Sequence, residues 1–148
     1  MFKDKINHLR FPKQDIKLGI ALWFRLTRFY NQNIKRTNQH LKEWNLTAAQ
    51  FDVISNVGSH QPITQQELAE KLVVTKGNIT QLMVKLAKLD IIRREREWKT
   101  NYISLTEKGK ALYNEIVPAQ QDFQAEQFSK LTTEEKKQLL HLLKKIQN

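Results

Sequence analysis

The chain has 148 residues, 40% of them hydrophobic, no cysteine, and a formal charge of +10 from 25 Lys and Arg against 15 Asp and Glu. That length and composition fit a single domain spanning 1–148, and the lack of thiols excludes disulfides, cysteine-ligated zinc and a thiol redox sensor. Apolar runs such as Ile20-Ala21-Leu22-Trp23-Phe24 fall far short of the roughly 20 residues of a membrane span, and the polar start Met1-Phe2-Lys3-Asp4-Lys5 has no apolar signal core, so a cytoplasmic protein with no membrane association is expected.

Residues 1–45 carry ten basic and three acidic groups, and residues 62–108 carry nine and six. That bias suits a polyanionic partner, and equally a solvated helical face. Pro12 stands at a helix entrance, and from 14 to 44 Ile16, Ile20, Trp23, Tyr30, Ile34 and Leu41 recur on one face of a long helix. A small core does not need that length, so part of the face is expected to meet another chain.

Thr47-Ala48-Ala49-Gln50 then reads as a capping box, in which a hydroxyl and an amide three residues on satisfy two orphan backbone donors, and it introduces Phe51, Ile54 and Val57. Thr64-Gln65-Gln66-Glu67 repeats the device ahead of Leu68 and Leu72. Thr75 can cap a helix to Leu89 with an apolar face of Ile79, Leu82, Met83, Leu86 and Leu89, leaving Lys76, Asn78, Gln81, Lys85 and Lys88 on the others. The short β-branched or alternating stretches 91–96 and 101–105 read as a hairpin. Thr106 and Glu107 open a helix carrying Leu112, Ile116, Ala119 and Phe123, which Pro118 is expected to bend or split. Thr132-Thr133-Glu134-Glu135 caps a last helix with Leu139, Leu142, Leu143 and Ile146.

The resulting fold class is mainly α with a small β-hairpin wing, a winged helix-turn-helix flanked by long N- and C-terminal helices. Its lobe is 46–108, with a first helix 64–72, the turn Val73-Val74, a recognition helix 75–89 and a wing 91–105. Such a layout places the second helix in a DNA major groove. There Asn78 and Gln81 suit adenine edges, Lys76 and Lys85 suit guanine or phosphate, and small Thr75 and Thr80 allow close approach. On the wing Arg94, Arg96 and Lys99 suit phosphates or a minor groove. A winged-helix adaptor that binds protein through the same surface is the alternative. Scattered acids, only four glycines and no nucleophile beside a base give no catalytic residue, and the histidines at 8, 40, 60 and 141 form no close pair and read as surface residues, so neither metal nor cofactor is expected.

The runs Leu46-Thr47-Ala48-Ala49-Gln50-Phe51, Ile63-Thr64-Gln65-Gln66-Glu67-Leu68-Ala69, Val74-Thr75-Lys76-Gly77-Asn78-Ile79-Thr80, Leu86-Ala87-Lys88-Leu89-Asp90-Ile91-Ile92-Arg93-Arg94 and Leu105-Thr106-Glu107-Lys108-Gly109 resemble, in order and spacing, the MarR family of bacterial regulators. The resemblance implies a homodimer joined through helices 14–44 and 109–147 and bound to a pseudo-palindromic operator in double-stranded DNA. It further implies repression, relieved by a small aromatic or anionic effector held between the dimerisation helices and the DNA-binding lobe. Trp23, Phe24, Phe51 and Tyr113 are the aromatic residues for such a pocket, although the same spacing also serves plain core. Two positions depart from the family pattern. Asp90 replaces the glycine that usually ends the recognition helix. In a hairpin about three residues short, the wing's Asp-x-Arg falls on Glu97-Trp98-Lys99, which keeps a charge at Lys99 without the planar fork. Trp98 at the tip is unexpected for a solvated loop; it can stack on sugar, pack on the partner's helices or shield the tip.

Overall fold

A computed structural model describes residues 10–73 and 78–148. The elements among them are α1 (Lys13–Leu41), a short 3-10 turn (Lys42–Trp44), α2 (Ala48–His60), β1 (Ile63–Thr64), α3 (Gln65–Lys71), α4 (Ile79–Lys88), β2 (Ile92–Glu97), β3 (Thr100–Leu105), α5 (Glu107–Gln127) and α6 (Thr133–Gln147). The chain forms two compact units, Met1–Arg36 and Thr37–Asn148.

In the first unit, α1 leaves Leu18, Ile20, Leu22, Trp23, Phe24, Leu26, Phe29 and Tyr30 exposed, while Ile16 is half-buried. Among the described residues of this unit the expected apolar face therefore covers no core.

In the second unit each expected capping box is formed. Thr47 Oγ1 accepts from the Gln50 amide at 3.2 Å while the Thr47 amide donates to Gln50 Oε1 at 2.9 Å. The pair Thr64 and Glu67 does the same at 3.1 and 3.3 Å, and Thr132 and Glu135 at 3.2 and 2.9 Å. The core joins Leu41 and Leu46 to Val53, Ile54 and Val57 of α2, Leu68 of α3, Met83 and Leu86 of α4, Ile92, Ile103 and Leu105 of the sheet and Ile116 of α5. Fully burying one such side chain is worth about 1.5–3 kcal/mol, so this single cluster dominates the folding of the unit.

The sheet has three antiparallel strands in the order β1-β3-β2, with Ile63 opposite Ile103 and Ile92 opposite Leu105. The sequence reading anticipated the hairpin but not β1, whose two residues are too few to show alternation. It also expected Pro118 to bend or split its helix; the helix is not split, and α5 runs as one element past the proline. Both Pro118 and Asn114, whose carbonyl loses its intrahelical donor, are exposed, so solvent can serve that carbonyl. Among the described residues, no helix is long and apolar enough to cross a membrane.

Candidate nucleic-acid interface

Helix α4 is tethered at its C-terminal end, and near its start Thr80 is held to α3. At its C-terminus the Asp90 amide donates to Ala87 O at 3.0 Å and the Ile91 amide to Leu86 O at 3.0 Å, the Schellman pattern, with Asp90 left-handed at φ 60°. Leu89 is consequently the helix cap and 41% exposed, rather than a member of the buried face with Met83 and Leu86. Thr106, which caps α5, locks this end in place. Its amide donates to Ile91 O at 3.0 Å, its hydroxyl donates to Asp90 O at 2.5 Å, and the same hydroxyl accepts from the Gly109 amide at 2.9 Å. Lys108 Nζ adds a bond to Leu89 O at 2.9 Å. Gly109 lies so close to the Ile91 carbonyl that a Cβ would collide with it. The Leu-Thr-x-x-Gly run is thus a clamp on the end of α4. Ahead of α4, Asp52 on α2 accepts from the Val73 amide at 2.7 Å and from Asn56 Nδ2 at 3.1 Å, holding the segment that leaves α3.

The helix begins later than the sequence suggested. Asn78 is its N-cap, with φ 56° and no side-chain capping bond, so the described helix is Ile79–Lys88 rather than 75–89. A left-handed residue cannot sit inside a right-handed helix. Thr75, Lys76 and Val74 lie outside the described residues. Asn78, Gln81 and Lys85 are exposed and open onto one hollow together with Thr47, Ala49 and Gln50 at the start of α2. Thr80 is exposed but faces α3, accepting from Gln65 Nε2 at 3.2 Å.

Arg94 and Arg96 are exposed and share one face of β2, opposite Ile103 and Asn101 of β3. Arg93 and Glu95 take the other face and pair at 3.3 Å. Lys99 lines a separate hollow between α3 and the wing, with Thr64, Gln65, Gln66 and Tyr102. Arg96 Nε donates to Trp98 O at 3.1 Å, which ties one of the expected DNA-contacting cations to the turn of its own hairpin.

The proposed pocket residues fall in both units. Trp23 and Phe24, in the first, are 69% and 68% exposed. Phe51 and Tyr113, in the second, pack half-buried against the core, and the Tyr113 ring lies against Gly58 so closely that no side chain fits there. Sequence reasoning missed a neighbouring cluster. His40, expected at the surface, is half-buried, stacks on Phe123 with ring centroids 4.3 Å apart and bonds through Nδ1 to Gln120 Oε1 at 3.0 Å. Trp44 meets the His40 ring edge-on and donates from Nε1 to Glu115 Oε1 at 3.0 Å. Asp52 and Gln65 were missed as well; an acid set between apolar Phe51 and Val53 was the one available signal for the former.

Two consecutive short helices, the second presenting an exposed polar face, followed by a cationic two-stranded wing, define a winged helix-turn-helix protein. The family model described as MarR family matches residues 44–97. An HTH-type transcriptional regulator of Bacillus cereus (strain ATCC 10987 / NRS 248) is 43% identical over 130 residues, covering 88% of both chains. A MarR-like transcription regulator of Bacillus cereus superposes with a TM-score of 0.81 at 19% identity, covering 88% of this chain and 96% of that one. A variant of E. coli MarR complexed with operator DNA superposes with a TM-score of 0.78 at 27% identity, covering 86% and 94%. The chain belongs to the MarR family of helix-turn-helix transcriptional regulators, a family of regulators and not of enzymes.

Proposed function

We propose that this protein is a sequence-specific DNA-binding repressor that acts as a homodimer on a pseudo-palindromic operator. One observation carries the reading: Asn78, Gln81 and Lys85, a bidentate pair of amides and a cation, are exposed on a common hollow at the head of a helix clamped at its C-terminal end. Base edges are read by such amides, while Lys85, Arg94 and Lys99, with Thr75 and Lys76 from the segment before α4, serve phosphates and close approach. The whole chain serves as one functional domain, with 46–108 as the DNA-binding lobe and 14–44 and 109–147 as dimerisation helices. The apolar residues exposed on α1, and Leu139, Leu140, Leu142 and Ile146 exposed on α6, support the dimer. A small aromatic or anionic effector releases the operator by favouring a spacing of the two recognition helices that misfits DNA. The cytoplasm, where the operator lies, is the compartment this role requires.

The test is to retain sheared genomic DNA on the purified protein, sequence it, and bind the enriched fragment across a salt series. A short palindrome bound with steeply salt-dependent affinity is expected. Asn78→Ala and Gln81→Ala should each cost about 1–3 kcal/mol on that fragment and relax preference at one position per half-site. Retention without sequence preference, or shallow salt dependence together with binding that survives both substitutions, would instead identify a protein-binding adaptor.

A further inference from the structure

Trp98 is the first of the two residues joining β2 to β3; it is 95% exposed and its φ is 58°. Two unfavourable features coincide there. A left-handed backbone is disfavoured for any residue with a Cβ, and least suited to a bulky ring, while turns of this kind ordinarily use Gly, Asn or Asp. An indole left in water also gives up the stabilisation that burial supplies. Neither cost is recovered inside the described chain, where the ring covers almost nothing.

The surroundings indicate what does cover it. Arg96 Nε bonds to the Trp98 carbonyl at 3.1 Å and so fixes the turn that carries the ring. Arg94 shares the Arg96 face, and Lys99, the next residue, is exposed. An apolar plate at the tip of a hairpin that carries Arg93, Arg94, Arg96 and Lys99 against Glu95 and Glu97 matches the backbone of duplex DNA, in which apolar deoxyribose faces alternate with phosphates. It matches an apolar protein groove poorly, because the cations would be stripped of water without partners.

We propose that the wing engages DNA through Trp98, whose indole packs on deoxyribose in the minor groove, with Arg96 as the residue that positions the turn and Arg94 and Lys99 on the flanking phosphates. This rests on the DNA-binding reading above. An aromatic contact thereby takes the place of a charged fork at the wing tip. It releases no counterions, so it adds affinity without steepening the salt dependence.

The experiment measures binding of the enriched operator fragment across a salt series for the wild type, Trp98→Asn, Trp98→Phe, Lys99→Gln and Arg96→Lys, with the melting temperature of each. Asn tolerates a left-handed turn, so Trp98→Asn is expected to melt no lower than the wild type. It should bind roughly tenfold or more weakly at every salt concentration with the slope unchanged, as re-exposing one large apolar side chain to water implies, and Trp98→Phe should fall between. Lys99→Gln should lower the slope by about one. Arg96→Lys keeps its charge but loses the Nε donor; it should weaken binding several-fold at unchanged slope and add little on top of Trp98→Asn, the coupling expected of a residue that acts through Trp98. Trp98→Asn binding within twofold of the wild type, or melting several degrees lower, overturns the proposal while the DNA-binding reading stands. A wild-type protein that enriches no fragment removes that reading itself.

Discussion

At Asp90 the chain turns left-handed at φ 60° to end α4, and among the described residues the side chain gains no capping role in return; the bonds that close the turn come from the Asp90 and Ile91 amides. A left-handed backbone at a residue with a Cβ costs on the order of 1–2 kcal/mol, less for Asp and Asn than for others, and glycine gives back about 0.5–1 kcal/mol in unfolded-chain entropy. Asp90→Gly should therefore be stabilising by roughly 0.5 kcal/mol, a rise of one or two degrees in melting temperature. Gly109 stands at the opposite extreme. Its neighbour is the Ile91 carbonyl, a backbone atom that cannot rotate away, so Gly109→Ala must displace the clamp between α4 and α5. A loss of about 1–3 kcal/mol in urea denaturation is expected, the range for overpacking a tight site. The departure at Asp90 was legible because the resemblance to the family implies a glycine at the end of the recognition helix, where this sequence has Asp90. The reason for Gly109 was not, since nothing local announces a carbonyl eighteen residues back.

Elements whose signals are local were read correctly, and elements set by distant partners were not. The three capping boxes depend on side chains three residues apart, so sequence suffices to place the starts of α2, α3 and α6. Strand β1 exists because Ile63 and Thr64 find Ile103 and Tyr102, about forty residues away, and its own pattern is too short to say so. The start of α4 at Ile79 was likewise not read, because Thr75 offers a capping hydroxyl three residues before Asn78 and either residue type suits a helix start. The capping box of α6 makes a pH prediction. Bonding to the Thr132 amide first, and to its hydroxyl second, holds the Glu135 carboxyl below its ordinary value of 4.5. Because the folded form binds this proton less readily than the unfolded form, its contribution is fully present above 4.5 and fades as pH falls through the depressed folded value. A carboxyl carbon titration by NMR should place the Glu135 midpoint below 4.5, and Thr132→Ala should move it part of the way back. Glu135→Gln should leave protection of the first turn of α6 indifferent to acid. Asp52 offers a second prediction at this scale. Asp52→Asn keeps the shape but loses the charge in the bond to the Val73 amide, and should weaken operator binding several-fold by loosening the approach to α4, with little change in salt slope, because no phosphate contact is removed.

For the whole molecule the decisive feature is α1. Leu18, Ile20, Leu22, Trp23, Phe24, Leu26 and Tyr30 are all exposed, and at 3.6 residues per turn they spread over more than half of the helix circumference. A helix apolar around so much of its surface is stable only when other helices enclose it, and an exposed patch of that kind is uncommon on a monomer. Sequence periodicity picked out one stripe, from Ile16 to Leu41, because it searches for a single buried face, whereas the exposed apolar residues of α1 spread well beyond that stripe. The core of the second unit does not use Leu22 or Leu26, so charging them tests association without dismantling that core. Leu22→Glu with Leu26→Glu should convert a dimer to a monomer in sedimentation velocity while the second unit keeps its cooperative melt. Two recognition helices in one particle bind the second half-site at a high effective concentration, and separating them forfeits a factor of about 10²–10⁴ on the full palindrome. Affinity for an isolated half-site should change little, since Asn78, Gln81 and Lys85 belong to the other unit. Were the doubly charged variant to stay dimeric with full operator affinity, α1 could not be the dimer seam, and the apolar residues exposed on α6 would be left as the surface that joins the two copies.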